Sequence, residues 1–152
     1  MHQNENADII PLFKNLCVAL QPFANSRAII LDFTSAEKEV IVDYTEDELK
    51  NGFSKLLRSI IDYMPDDNAI YITTEVIEEN NAKHVSIKIR NTGINLKQVP
   101  AITNNCNIPV TLFSFSAKET VYEVCYSLSH EFAADTQKQM ANGGPFNYIN
   151  FV

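Results

Sequence analysis

Few polar residues of this sequence are spaced for chemistry, and each has a plain structural alternative. Asn91-Thr92-Gly93 closes an alternating run, Val85, Ile87 and Ile89. The triplet suits a strand-ending turn because glycine takes a positive φ without strain. His130-Glu131 begins like a zinc-protease helix, but position 134 is Ala, so the second histidine of HExxH is missing. The cysteines Cys17, Cys106 and Cys125 and the three histidines are scattered, which indicates no metal site. Cys17 and Cys125 read as small core residues rather than nucleophiles. Asp66-Asp67 and Glu78-Glu79 fall in turn-like segments, where solvation explains them better than acid–base work. Tyr122 and Tyr126, one turn apart in helical spacing, read as packing residues that could also form a protein-facing surface.

The elements that position these residues follow from periodicity. Residues 1–7 are polar and read as a flexible tail, and residues 8–152 as one domain. Asp8 is placed to cap a helix with Ile9, Leu12, Phe13, Leu16, Leu20 and Phe23 on one face. The runs Ala28–Asp32 and Glu39–Asp43 read as a hairpin. Thr45 and Glu48 form a capping box. The helix it opens has the clearest periodicity in the chain, Leu49, Phe53, Leu56, Leu57, Ile60, Ile61 and Met64, and stops at Pro65. Strands are expected at Ala69–Ile77 and His84–Ile89, with one buried face on the second. Val110–Phe115 reads as a strand or a buried loop. Ser116 with Glu119 reads as a second capping box, opening a third helix with Val121, Val124, Cys125, Leu128 and Phe132 inward. Asn142–Pro145 reads as a turn and Phe146–Val152 as a final strand. The expected fold class is α+β: a two-layer α/β sandwich, a mixed sheet with about three helices on one face.

Composition narrows the function. The chain has 152 residues, 45% of them hydrophobic, enough for one proper core. No apolar run approaches the roughly 18 residues of a membrane span, and the first residues lack a signal-peptide pattern. An odd number of cysteines without CxxC spacing suits reduced thiols and a cytoplasmic location. The net charge of −7 argues against nucleic acid or an anionic membrane as partner.

Three segments carry a family resemblance: Thr45–Ile72 (helix, Pro-Asp-Asp-Asn turn, strand), His84–Leu96 (HVSIKIRNTGINL), and the helix and two runs that precede them. In order and length they resemble the ATP-binding domain of histidine kinases (the GHKL, or Bergerat, superfamily), over residues 8–96 and again at the end of the chain. The resemblance implies the Bergerat sandwich and a nucleotide pocket. It aligns the family's magnesium-binding Asn with Ser59 and its earlier Asn with Lys55. The basic residue three places after the metal Asn becomes Asp62, and Tyr63, which often lies near the nucleotide, is kept. Its adenine-reading Asp aligns with Asn91, whose side chain both donates and accepts, and the first glycine of its first glycine box is Gly93; the second is replaced by Asn95.

The resemblance implies a residual pocket of Ser59, Tyr63, Asn91 and Gly93, and against it stand four departures. Magnesium needs hard oxygen donors in octahedral geometry, and the Ser59 hydroxyl reaches less far than an Asn carbonyl. Phosphates need clustered backbone N–H groups or cations. Yet from Ile94 to Ser116, where the family has its lid and second glycine box, there is no glycine and one basic residue, Lys97. Ser116 could hold an anion, but Glu119 opposes one. A phosphoacceptor hairpin before the first helix has no room, so autophosphorylation in cis is not expected. The leading expectation is a degenerate domain with no catalytic residue, no metal and no cofactor. It would bind and regulate a protein in signalling: a response regulator, a kinase or a second copy of itself. An exposed apolar patch near residues 108–115 would support it. The alternative is a divergent catalytic domain of a sensor kinase or anti-sigma-factor-like kinase, with Ser59 on magnesium, Asn91 on adenine, Tyr63 along the base, and ATP as cofactor. An unrelated α/β domain is the third reading, and strand order separates it from the other two.

Overall fold

The computed structural model describes residues 6–129. In chain order the elements are β1 (Ala7–Asp8), α1 (Ile9–Asn25), β2 (Ile30–Ser35), β3 (Ile41–Val42), α2 (Glu46–Tyr63), β4 (Ala69–Glu79), β5 (Ala82–Thr92), a 3-10 turn (Leu96–Gln98), α3 (Val99–Thr103), β6 (Thr111–Phe115) and β7 (Glu119–Ser127). Five strands form a mixed sheet in the order β2-β4-β5-β7-β6, parallel only between β2 and β4. A two-stranded sheet, β1 with β3, stands apart.

Helix formation follows the periodicity. Asp8 caps α1, accepting from Ile10 N at 3.1 Å, and the same oxygen accepts from Val40 N at 3.0 Å, which ties the helix start to the chain before β3. Ile9, Leu12, Phe13, Leu16 and Leu20 are buried, whereas Phe23 is partly exposed beneath the Arg58 guanidinium. All seven apolar positions expected on α2 are buried. Thr45 stands at its N-cap, but its hydroxyl donates to Glu48 Oε1 at 3.0 Å instead of capping the backbone. At the other end, where α2 has no basic residue of its own, Arg27 donates to Ile61 O at 2.7 Å, to Met64 O and to Asp66 Oδ1 at 2.9 Å. The exit of α2 is thereby fastened to the end of α1.

Alternation fixes the sheet's inner face. Aligned rows run Ile72–Ile89–Tyr122 and Thr74–Ile87–Val124 across β4, β5 and β7, and every member is buried. The β4–β5 hairpin turns tightly at Asn80-Asn81, both at positive φ (52° and 64°), the backbone of a primed hairpin turn.

Two expectations are corrected. The runs near 28–32 and 39–43 do not form a hairpin: β2 pairs parallel with β4, and β3 pairs with β1. Parallel neighbours need a long crossover, and β3 with α2 supplies it here. The third helix expected after Ser116 is strand β7, and the third helix of the fold is the short α3 instead. Ser116 Oγ does accept from the N–H groups of Lys118 and Glu119, both at 3.2 Å, as an N-cap would. Here those bonds close a β6–β7 turn, since a Ser-initiated turn uses the same donors as a helix start. The expected turn at 142–145, the strand at 146–152 and Phe132 lie outside the described residues.

Candidate functional site

The α2 positions singled out by sequence lie along its second half. Lys55 and Asp62 are exposed, Ser59 is half-buried, and the Tyr63 ring is 39% exposed near the helix end. Among the described residues no three His, Cys, Asp or Glu side chains gather as a metal site.

Asn91 is 0% exposed and lies on the sheet's inner face near the end of β5. Its neighbours in register are Ile70 on β4 and Thr120 on β7. Asn91 Nδ2 donates to Thr92 O at a long 3.4 Å, while Asn91 Oδ1 and Thr120 Oγ1 are buried without any protein partner. Directly opposed strand residues bring their Cβ atoms to about 5 Å, so two unsatisfied polar atoms share one small area under the helices. An unpaired buried polar group costs about 1–3 kcal/mol. Thr120→Val keeps the shape and removes the hydroxyl. It is expected to raise stability by about 1 kcal/mol in chemical denaturation; a loss of that size would mean the hydroxyl is partnered in solution.

Thr120 was not legible as a site residue, because its segment reads as a helix. The available signal was the alternation of Thr120, Tyr122, Val124 and Tyr126 set against the Asn91 strand. Tyr122 is wholly buried in the next row, its hydroxyl also lacks a partner, and burial pushes its phenol up to about 12.

Gly93 sits in the following turn at φ 88°. A Cβ there would lie 2.9 Å from the Asn68 side chain. Thr92 Oγ1 donates to Asn68 Oδ1 at 2.8 Å and accepts from Ala69 N at 3.1 Å, and Asn68 Nδ2 donates to Pro65 O and Asp66 O. The Asn-Thr-Gly turn is thus interlocked with the turn between α2 and β4. The structure brings Asn91 together with Thr120, and Gly93 with Asn68.

The segment after Gly93 is built from apolar contacts. Asn95 Oδ1 accepts from Lys97 N and Gln98 Oε1 accepts from Asn95 N, both at 3.0 Å, which folds the chain into the 3-10 turn and α3. Ile94, Val99, Ile102 and Ile108 are buried in the common core. Ile108 sits against Gly52 so closely that a Cβ there would be 2.3 Å from Ile108 Cγ2. Cys106 lies within electrostatic reach of Lys55, although burial is the larger influence and raises its thiol. Burial likewise pushes Cys17 up to about 11. Cys125, expected in the core, is exposed on β7, because its strand alternation turns it away from Val124 and Tyr122; partial desolvation and then the Glu123 carboxylate raise its thiol. None of the three is poised as a thiolate.

Asn91 Oδ1 and Thr120 Oγ1 are unsatisfied, and at 0% and 1% exposure both residues are sealed from solvent. The stretch from Ile94 to Ser116 carries no glycine and one basic residue, Lys97, and it packs onto α2 through Ile108.

No protein-family model matches the chain, and no curated protein matches it in sequence. Solved structures do match its fold. The nucleotide-free catalytic domain of histidine kinase ThkA superposes with a TM-score of 0.63 at 13% identity, covering 80% of this chain and 93% of that one. The Acinetobacter baumannii histidine kinase AdeS gives 0.61 at 14% identity over 86% and 70%. ThkA in complex with the response regulator TrrA gives 0.61 at 13% identity over 83% and 42%. The chain has the fold of histidine-kinase catalytic ATPase domains: three helices and a five-stranded mixed sheet. No helix among the described residues is long and apolar enough to cross a membrane.

Proposed function

We propose that this chain is a degenerate histidine-kinase-like ATPase domain that binds and regulates a protein in signal transduction, without phosphotransfer, in the cytoplasm. One observation carries the reading. The segment that would enclose phosphates is folded into the core, with Val99, Ile102 and Ile108 buried and Ile108 seated on Gly52. On this reading the domain uses no cofactor. The partner is a protein such as a response regulator, a kinase or a second copy; a structural neighbour, ThkA, is seen with a response regulator. Consistent with that role, β6 exposes Leu112, Phe113 and Phe115.

The alternative, a divergent ATP-binding catalytic domain, draws support from the unpaired Asn91 Oδ1 and Thr120 Oγ1. In it Ser59 would hold magnesium, Asn91 would read adenine, Tyr63 would line the base and Gly93 would let the chain approach it. Calorimetric titration with ATP and ADP, with and without magnesium, separates the two. The expected result is no heat and no thermal shift at nucleotide concentrations near 1 mM, which bounds any binding to weaker than about −4 kcal/mol. Micromolar, magnesium-dependent binding that disappears in Asn91→Ala would establish the catalytic reading instead.

A further inference from the structure

Helices α1 and α2 lie side by side and run parallel. A cleft of about 150 Å³ between them is lined by Leu12, Asn15, Leu16 and Ala19 of α1 and by Glu46 and Lys50 of α2. Further along, the Arg58 guanidinium covers the Phe23 ring at 4.0 Å. Leu12 and Leu16 are buried and make the floor, while the small Ala19 leaves the groove open midway. Beside it Val18, 74% exposed, is the most exposed large apolar side chain among the described residues, and Pro22 one turn on is exposed too. On the facing side of α2, Lys50, Ser54 and Arg58 recur at four-residue spacing.

Charge sets this surface apart. The chain has 19 acidic residues and a net charge of −7, yet no Asp or Glu occurs from Ile9 to Leu31 or from Leu49 to Ile61. Those stretches hold all of α1 and most of α2, and their charged residues are Lys14, Arg27, Lys50, Lys55 and Arg58. Arg27 is paired with Asp66, whereas the other four are exposed and form no ion pair with any described residue. Of the residues lining the cleft only Glu46 is acidic, and it stands in the first turn of α2. A helix pair of one sign on a chain of the other, apolar along its middle, is selective. Two copies facing each other here would set like charges together. A nucleic acid would meet these cations, but the negative remainder of the chain repels it, and Val18 and Ala19 would go unused. A third helix packs between two parallel ones by fitting ridges into grooves, and an apolar stripe flanked by carboxylates complements both features of this groove.

Resting on the protein-binding reading above, we propose that the α1–α2 groove docks an acidic amphipathic helix of a partner protein. Its apolar side chains meet Val18 and Ala19, and its carboxylates face Lys50 and Arg58, with Lys14 and Lys55 extending the positive field. The probe is a labelled synthetic peptide with Leu at helical spacing and Glu on its other face, titrated with the full chain by fluorescence anisotropy. Saturable binding that weakens with added salt is expected. Two control peptides, one with Lys in place of Glu and one with the same residues scrambled off the stripe, are expected to bind about tenfold more weakly or worse. Val18→Glu alone, and Lys50→Glu combined with Arg58→Glu, each confirmed as folded by circular dichroism, are expected to weaken binding about tenfold or more. Lys118→Glu, the same charge reversal in the β6–β7 turn, is expected to leave it unchanged. A peptide that does not saturate overturns the proposal, as does equal binding of either control peptide or indifference to both groove variants. Displacement of the peptide by a DNA duplex at equal concentration also overturns it, since the groove would then read charge alone. So does a sedimenting dimer that Val18→Glu abolishes, because the occupant would be a second copy. The nucleotide titration is separate. Magnesium-dependent ATP binding with peptide docking intact would remove the non-catalytic reading and leave the groove, whereas silence toward both would remove the groove and leave that reading to another surface.

Discussion

Phe53→Ala is expected to lower stability by about 3–5 kcal/mol, the usual cost of emptying a buried phenylalanine site. Phe53 is 0% exposed and occupies the middle of an aromatic series that joins every layer. Phe33 on β2 stacks on Phe13 of α1 at 5.4 Å between centroids, and Phe13 meets Phe53 of α2 edge-on at 4.8 Å. Phe53 in turn faces Tyr126 of β7 at 6.3 Å, and Tyr126 meets Tyr44 at 5.3 Å. Edge-on and offset pairs add about 0.5–1.5 kcal/mol beyond area burial, and the substitution removes two of them. Domains are stable by only about 5–15 kcal/mol in total, so the melting temperature should fall by on the order of 10–20 °C. Urea unfolding with an unchanged m-value checks this. A loss under about 1 kcal/mol would mean that α1, α2 and β7 close the gap by moving together, contrary to an interior packed at crystal-like density.

The same helix shows what was legible beforehand. Its seven apolar positions recur over five turns, a signal long enough that only a buried face satisfies it, and the tertiary structure agrees at every one. Strand β7 was not legible in this way. Its run Thr120-Val121-Tyr122-Glu123-Val124-Cys125-Tyr126 places apolar residues at both helical and alternate spacing, so a short window does not choose between periods. The deciding local signal, Ser116 three residues before Glu119, has the same chemistry in a hairpin turn as at a helix start. The β2–β4 pairing escaped for another reason: parallel partners are distant in sequence, and nothing local names them. The first of these errors bears on the site, because Thr120 meets Asn91 only when β7 is a strand beside β5. The absence of glycine from Ile94 to Ser116 was plain in the sequence, whereas the packing of that stretch onto α2 was not.

That packing has one sequence trace, a glycine in the middle of a strong helix. Gly52 lies inside the 18-residue α2, where glycine is about 1 kcal/mol less favourable than alanine. Helix propensity alone would make Gly52→Ala stabilising. The structure reverses the sign, because the new methyl would stand 2.3 Å from Ile108 Cγ2 and 3.4 Å from Ile108 Cβ. Overpacking of this kind costs about 1–3 kcal/mol. Gly52→Ala is therefore expected to destabilise the wild-type chain, and hydrogen exchange should quicken across residues 99–108. In an Ile108→Ala background the obstruction is gone. There the same substitution is expected to stabilise by about 0.5–1 kcal/mol, which gives a coupling on the order of 2 kcal/mol between the two positions. Additive effects in that double-mutant cycle would show that Ile108 does not rest on α2. The cycle also separates two reasons for silence toward nucleotide. If packing alone bars the pocket, loosening it in Gly52→Ala should let magnesium-ATP bind. If the chemistry is lost, the loosened segment still offers no glycine and a single lysine, Lys97, and the titration stays flat. A flat titration is the expected result, since phosphates need clustered N–H groups or cations that this stretch of chain does not carry.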